Sequence, residues 1–347
     1  MKSQFARSAK MSPKKVISIF SALLFSGATA QEVRLYSERH YDADKKVFAQ
    51  FTEETGIKVN VVKAGANELI ERLKSESGVP QADLYITSDV ASLTRADESG
   101  LLAPLKSETI NKQVPAGLRS ENDTWTAFTM RSRVIVYAKD RVEKDDLPKT
   151  WQDLASPKYR GNVLVRSSTS KYNRSLLSSI IVNEGKPAGF KWASGISKNL
   201  ARPPQGGDRD QVSGVAKGLA DFAITNTYYL GILEKSEDKN ERAARAAVEV
   251  IFPTSGDAGT HVNISGGGII KGAANAENAR KFLEFLVSNS VQSTYQKMTS
   301  EYAVVKGIEP EPLQKAWGEI TPDMAALPHL GSHDADSVKI FSSVGWK

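Results

Sequence analysis

Residues 33–62 read VRLYSERHYDADKKVFAQFTEETGIKVNVV, a strand, a helix and a second strand in that order. Alternating apolar side chains predict the strands at 33–37 and 57–62. Between them, residues 42–55 place apolar side chains at helical spacing, and Gly56 follows as a helix stop. A strand–helix–strand order predicts two parallel strands connected by a helix that packs on one face of the sheet.

The same alternation continues through the rest of the chain. It predicts an α/β fold with open, mostly parallel sheets and helices on both faces. Further strands are predicted at 82–87, 133–138 and 221–225, with another before residue 166, and further helices at 67–77, 90–100, 171–185, 210–219 and 275–298.

Two domains are expected because about 317 residues beyond the N-terminal segment exceed what one core serves. No low-complexity linker separates the halves, so we expect continuous strands near 131–137 and 262–270 to join them. The predicted first lobe comprises residues 31–131 with 262–300, and the predicted second lobe comprises residues 132–261 with 301–347.

The N-terminal residues 1–30 have the features of a signal peptide. A basic start precedes an apolar run at 16–25, and Ala28 and Ala30 have the spacing that signal peptidase accepts. The apolar run is near ten residues, whereas a membrane span needs about twenty. We therefore predict cleavage after Ala30 and export to the periplasm.

Charge and cysteine content narrow the classes of partner. The formal net charge is +6, and residues 1–30 contribute five positive charges and no acid, which leaves +1 for the mature chain. A nucleic-acid partner is not expected, because it calls for a clustered basic face. The chain has no cysteine, so its core must hold it without disulfides and no lipid anchor can form at the cleavage site. We expect a monomer free in solution.

Tyrosine and histidine side chains follow three of the predicted strands. His40 and Tyr41 follow the first strand, Tyr172 begins the helix after a later one, and Tyr228 and Tyr229 follow the strand at 221–225. The carboxyl ends of parallel strands form the usual ligand crevice of α/β sheets. We therefore expect these side chains to meet at a cleft.

Clustered phenols suit a hard trivalent cation. A free phenol has a pKa of about 10, but a nearby cation favours the ionised form, and a phenolate is a hard anionic ligand. Zn²⁺ would be expected to recruit cysteine and several histidines, whereas the chain has no cysteine and four histidines. Ca²⁺ or Mg²⁺ would need clustered carboxylates. The pattern favours Fe³⁺.

Other interpretations remain open. A tyrosine after a strand more often packs with its hydroxyl on the backbone, and the cluster could instead stack on an organic or oxyanion solute. Ser168 and Ser170 precede a helix and are candidate anion ligands, although N-capping also explains serines there. A hydrolase with Ser167, Ser168 or Ser170 as nucleophile is disfavoured, because no G-x-S-x-G motif surrounds these serines and no histidine or acid lies at a recognisable spacing from them. GGGII at 266–270 lacks the lysine of a phosphate loop.

Nearly the whole mature chain resembles the periplasmic ferric-binding proteins of iron ABC transporters. The His-Tyr pair, the tyrosine in KYNRSL and the NTYYL motif are specific to iron-binding members. Relatives that bind polyamines, thiamine or sulfate are not expected to keep this tyrosine set. The resembling stretches, in the family's order, are LYSERHYDAD, NELIERLKSE, ADLYITSD, RSRVIVYAKD, TWQDLASPKYRGNV, RSSTSKYNRSL, ADFAITNTYYLGIL, GTHVNISGGGI, FLEFLVSNSVQ and EYAVV.

The resemblance implies a two-lobed periplasmic binding protein fold and no enzymatic activity. It implies that Fe³⁺ is the transported ligand, that a synergistic anion such as carbonate accompanies it, and that an inner-membrane ABC permease receives it. Arg133 matches the hinge-strand arginine that supports the site or the anion, with Arg131 second to it. The implied iron ligands are His40, Tyr41, Tyr172, Tyr228 and Tyr229.

The chain departs from some family members at two places. Ala303 stands where they have a proline, in a loop that leaves the metal site untouched. Leu230, Gly231 and Ile232 follow the tyrosine pair where those members have an arginine. No arginine from that position can therefore complete the coordination shell.

Overall fold

The computed structural model describes residues 31–39 and 41–347, so the predicted signal peptide, its cleavage site and His40 lie outside the described residues. The strands are β1 (Glu32–Ser37), β2 (Lys58–Lys63), β3 (Leu84–Thr87), β4 (Thr126–Ala138), β5 (Val163–Leu164), β6 (Phe222–Asn226), β7 (Val248–Ile251) and β8 (Val262–Ile269). The α-helices are α1 (Asp42–Thr55), α2 (Ala66–Ser75), α3 (Val90–Glu98), α4 (Glu108–Gln113), α5 (Trp151–Leu154), α6 (Lys171–Glu184), α7 (Lys186–Asn199), α8 (Asp208–Ala216), α9 (Thr227–Glu234), α10 (Lys239–Ala246), α11 (Ala276–Leu286), α12 (Asn289–Thr299), α13 (Pro312–Ala316) and α14 (Asp334–Ser343). Short 3₁₀ segments lie at Ala116–Leu118, Lys144–Asp146, Pro157–Tyr159 and Leu327–His333.

The strands of Glu32–Lys347, which form one compact unit, hydrogen-bond in the order β2-β1-β3-β8-β4-β6-β5, with β7 also on β4. The pairs β1–β2, β1–β3 and β5–β6 are parallel, as the alternation of strands and helices predicts. Within the described residues, every antiparallel pair contains β4 or β8. These two strands therefore join two parallel α/β segments.

Strand β4 runs continuously from one segment to the other. Its residues from Thr126 to Ser132 pair with β8, and those from Arg133 to Tyr137 pair with β6. β4 and β8 coincide with the stretches in which the sequence places the connections between the lobes. The lobe boundaries themselves stay a prediction.

Most predicted helices have nearly the expected bounds, but the stretch 275–298 is two helices rather than one. Ser288, the residue before α12, has extended backbone and interrupts the helix. The break is stabilised by Gln292, whose side-chain amide donates to the carbonyls of Leu286 at the end of α11 and Phe128 in β4, both at 2.8 Å. This tertiary contact explains why helical periodicity alone missed the break.

Aromatic side chains pack together in each of the two hydrophobic clusters of the core. In the first predicted lobe, Phe51 packs edge-on against Phe282, with ring centroids 4.8 Å apart. In the second, Trp192 lies between Trp151 and Trp346, at 6.3 and 5.7 Å. Among the residues described, no helix is long and apolar enough to cross a membrane.

Candidate functional site

Four tyrosines meet where helices begin after the ends of strands. Tyr41 is the residue before α1, Tyr172 is the second residue of α6, and Tyr228 and Tyr229 lie in the first turn of α9. Strand β6 runs directly into α9, and β1 ends four residues before Tyr41. We call these four residues the tyrosine cluster.

The members of the cluster touch one another. The hydroxyls of Tyr172 and Tyr228 are 3.0 Å apart. The ring of Tyr228 lies 4.2 Å from that of Tyr229 and 6.1 Å from that of Tyr41, measured between centroids. Residues far apart in sequence thus present phenols to one point, as the strand-end positions led us to expect.

The phenols are shielded from water to different degrees. Tyr228 is buried, with 3% of its surface exposed, and the other three are half-buried. Burial raises the pKa of the Tyr41 and Tyr228 phenols well above the ordinary value, and it raises the pKa of Tyr229 to about 12. Without a cation, these three phenols are therefore neutral at pH 7.

The chemistry of the site depends on these phenols. Among the described residues, no group of three or more histidine, cysteine, aspartate or glutamate side chains could hold a metal ion. A phenolate supplies a negative charge and a hard oxygen donor once a cation displaces its proton. The cluster is suited to a highly charged, hard cation and poorly suited to a zinc or calcium ion.

Arg133, the predicted partner of the anion, is already engaged within the protein. Its Nη1 donates to Asp208 at 2.6 Å and to Asn226 at 2.9 Å, and its Nη2 donates to Asn173 at 2.6 Å. Its Cζ lies 5.8 Å from the centre of the Tyr172 ring. Its role toward an anion stays a prediction, and most of its donors are occupied.

Arg131 has a free donor in the same region. It is buried, its Nη2 donates to the carbonyl of Ser88, and its Nη1 has no hydrogen-bond partner in the part of the chain described. Its positive charge acts to lower the pKa of the Tyr41 phenol and so opposes the effect of burial, which raises it. Its Cζ lies 5.7 Å from the centre of the Tyr172 ring. The resemblance ranked Arg133 first and Arg131 second, whereas strand alternation does not separate them, because positions 131 and 133 share one face of β4.

Glu301 is a neighbour of the tyrosine cluster that the sequence analysis missed. It is fully buried, and its Oε1 accepts a long hydrogen bond of 3.5 Å from the hydroxyl of Tyr41. Arg39 contacts both groups, with Nη1 3.7 Å from Glu301 Oε2 and Cζ 4.3 Å from the Tyr41 ring centre. An isolated glutamate 260 positions from its partner carries no spacing signal.

The two candidate anion-binding serines have different surroundings. Ser170 precedes α6, but its side chain does not cap the helix, and its hydroxyl is buried without a partner among the described residues. Ser168 lines a cavity of about 330 Å³ together with Trp346 and Lys347 of the C-terminus. Its amide donates to the carbonyl of Lys347 at 3.2 Å. Their roles as anion ligands remain predictions.

Comparison with known sequences gives strong matches along most of the chain. The family model described as bacterial extracellular solute-binding protein matches residues 37–293. Iron uptake protein A1 of Synechocystis is 44% identical over 317 residues, which cover 91% of this chain and 88% of that protein. The major ferric iron-binding protein of Neisseria meningitidis is 28% identical over 86% of this chain and 91% of its own length.

Solved structures agree with these matches. A Trichodesmium protein called IdiA or FutA, solved with iron and citrate, has a TM-score of 0.85 and 41% identity, covering 91% of this chain and all of that one. The ferric binding protein of Campylobacter jejuni has a TM-score of 0.84 and 37% identity over the same shares. The two-lobed α/β fold class predicted from the sequence is confirmed by these neighbours.

Proposed function

This chain belongs to the bacterial extracellular solute-binding proteins, and from that membership we propose that it captures Fe³⁺ in the periplasm and delivers it to an inner-membrane ABC permease. Its relatives are solute-binding transport proteins, so the chain is a binding protein and not an enzyme. Residues 1–30 serve as the export signal in this proposal, with cleavage after Ala30. Fe³⁺ is the cargo, held between the two lobes.

The observation that carries the proposal is the convergence of phenols from separate elements. The 3.0 Å contact between the hydroxyls of Tyr172 and Tyr228 is a separation at which both oxygens can bind one metal ion. Two phenolates at that distance repel each other unless a cation lies between them. Tyr41 and Tyr229 pack against the same pair, and we propose all four as iron ligands, with His40 as a fifth.

The elements around the cluster favour negative charge there. α6 and α9 both begin at the cluster, and a helix N-terminus carries positive potential of roughly half an elementary charge. Arg131 adds a buried positive charge, and its free Nη1 suits a synergistic anion such as carbonate. We propose that Arg131 contacts this anion and that Arg133 supports it from behind.

The free donor of Arg131 also suits a second candidate function. An organic or oxyanion solute could accept a hydrogen bond from that donor while neutral phenols stack on it or donate to it. Such a ligand would leave the phenols protonated. The two functions therefore differ in whether binding creates tyrosinates.

The deciding experiment is a visible-spectrum titration of the mature protein with ferric citrate. We expect a broad tyrosinate-to-iron charge-transfer band that saturates near one iron per chain. Tyr228→Phe and Tyr229→Phe should each weaken or shift the band. Tyr137→Phe, a half-buried tyrosine on β4 outside the cluster, is the matched control and should leave it unchanged. A protein that stays colourless would contradict ferric binding and favour the organic or oxyanion solute.

A further inference from the structure

We propose that Lys171 and Glu38 form a latch across the cleft, which holds the two lobes closed and limits the rate at which the ligand leaves. The inference rests on the proposed function for the identity of the ligand and on the predicted division into lobes. It assigns to these two residues a positioning role that is separate from metal ligation.

Glu38 is held in place by its own lobe. Its Oε2 accepts hydrogen bonds from the hydroxyl of Thr87 at 2.6 Å and from the amide and hydroxyl of Ser88 at 3.1 and 3.2 Å. All three donors lie within residues 31–131, and the glutamate side chain is 12% exposed. This arrangement orients the carboxylate and leaves Oε1 for a partner from elsewhere.

That partner comes from the other predicted lobe. The ammonium of Lys171, the first residue of α6, contacts Glu38 Oε1 and donates to Ser88 Oγ at 2.8 Å. A lysine in the first turn of a helix opposes the positive potential at the helix N-terminus, so stability of α6 does not account for it. The carboxylate of Glu38, across the cleft, accounts for the lysine at this position.

The same helix carries a second contact toward the hinge. One turn after Lys171, the hydroxyl of Ser175 accepts a hydrogen bond of 2.8 Å from the Asn263 side-chain amide in β8. Asn263 also donates to Asp89, the residue before α3, at 2.7 Å. The first two turns of α6 are thus tied to the hinge strand and to the first lobe.

These contacts couple the latch to the ligand. Lys171 and Tyr172 are adjacent in the first turn of α6, and a helix moves as one body. A rigid-body movement of α6 that withdraws Tyr172 from the cleft therefore also pulls Lys171 away from Glu38. Half-buried charged hydrogen bonds of this kind are strong enough to slow such an opening by about tenfold.

The test measures the rate at which a competing chelator such as EDTA removes iron from the mature protein in stopped flow. Lys171→Met and Glu38→Gln should each accelerate iron release about tenfold while the charge-transfer band is retained, because no proposed ligand is removed. The double variant should be no faster than the faster single variant, since both changes break one contact. Lys186→Met removes a lysine that pairs with Asp336 at 2.9 Å within the second lobe, and it should stay within about twofold of wild type.

Two results would overturn the latch: single variants that release iron at the wild-type rate, or a double variant whose acceleration is the product of the two. If the wild-type protein binds no iron at all, the proposed function fails. The latch is then tested separately by measuring radii of gyration with small-angle X-ray scattering. In that case Lys171→Met must have a larger radius of gyration than the wild type. Equal radii would contradict the latch.

Discussion

At the scale of single residues, His261 shows how burial beside cations fixes a protonation state. Its imidazole is buried, and burial, followed by the charges of Arg133 and Arg131, lowers its pKa to about 3. The ring contacts the hydroxyl of Ser175 at 3.3 Å, and its backbone carbonyl accepts from the amide of Arg133. The side chain is therefore neutral in the folded protein.

The neutral histidine predicts a loss of stability in mild acid. An unfolded histidine has a pKa of about 6.5, so between pH 6.5 and 3 the unfolded state binds the extra proton. The contribution of His261 is fully present above pH 6.5 and declines as the pH falls, by about 2 kcal/mol at pH 5. The free energy of unfolding at pH 7 and pH 5 can be measured by urea denaturation of the iron-free protein. We expect the difference between the two values to be about 2 kcal/mol smaller in His261→Gln than in wild type. Equal pH dependence in both proteins would refute the assignment.

Prediction from the sequence was least complete at the scale of single residues. The four tyrosines could be predicted, because strand ends in α/β sheets converge and the motifs around them resemble ferric-binding proteins. The resemblance placed Arg133 ahead of Arg131, and strand alternation gave no reason to reverse that order, because it puts both residues on one face. Glu301 could not be found at all, because its contact with Tyr41 depends on how the whole chain packs.

At the scale of elements, the glycines of β8 allow two strands to approach closely. A Cβ built on Gly266 would lie 2.6 Å from the carbonyl oxygen of Thr126, and one on Gly268 would lie 2.6 Å from that of Thr124. Backbone atoms of a paired strand cannot move aside cheaply. All of the GGGII stretch except Ile270 therefore lies in β8, a tightly packed strand that we predict to be part of the hinge.

We expect Gly266→Ala to destabilise the protein by about 2 kcal/mol, because the added methyl group overpacks the β4–β8 pair. Gly78→Ala is the matched control, since a Cβ there meets nothing within 4 Å, and its effect should be within about 0.5 kcal/mol. Chemical denaturation of both variants measures the difference. A Gly266→Ala protein as stable as the control would show that the strands can separate without cost.

Element types were predicted well wherever local periodicity decides them. The first helix has the predicted bounds of residues 42–55, and the strand predicted at 133–138 is the end of a longer one, β4. The division of 275–298 into two helices depends on Gln292 bonding to β4, a contact with no local sequence signal. Periodicity reports which face is buried, and tertiary hydrogen bonds decide where a helix is interrupted.

At the scale of the whole molecule, the proposed ligand site and the proposed hinge share strand β4. β4 crosses from one parallel segment to the other and carries Arg131 beside the tyrosine cluster. Bending at β4 and β8 would therefore move the proposed ligands of the two predicted lobes apart while the strands stay continuous. The predicted lobe division places Tyr41 in the first lobe and the other three tyrosines in the second, so we expect the cluster to be complete only when the lobes close.

Closure on iron makes a prediction about protons that separates the two candidate functions. The phenols of Tyr41, Tyr228 and Tyr229 have raised pKa values, so they are protonated in the ligand-free protein at every pH between 5 and 8. Each phenol that binds Fe³⁺ must release its proton, so affinity should fall as pH falls.

We expect up to four protons per iron, one from each tyrosine of the cluster, counted by calorimetry in buffers of different ionisation enthalpy. Tyr228→Phe and Tyr229→Phe should each release one proton fewer than wild type. Comparing each variant with wild type removes the protons that the ferric salt contributes, because that contribution is the same in every titration. Proton release that is identical in all three proteins would mean that the phenols bind their ligand in the neutral form, as they would an organic or oxyanion solute.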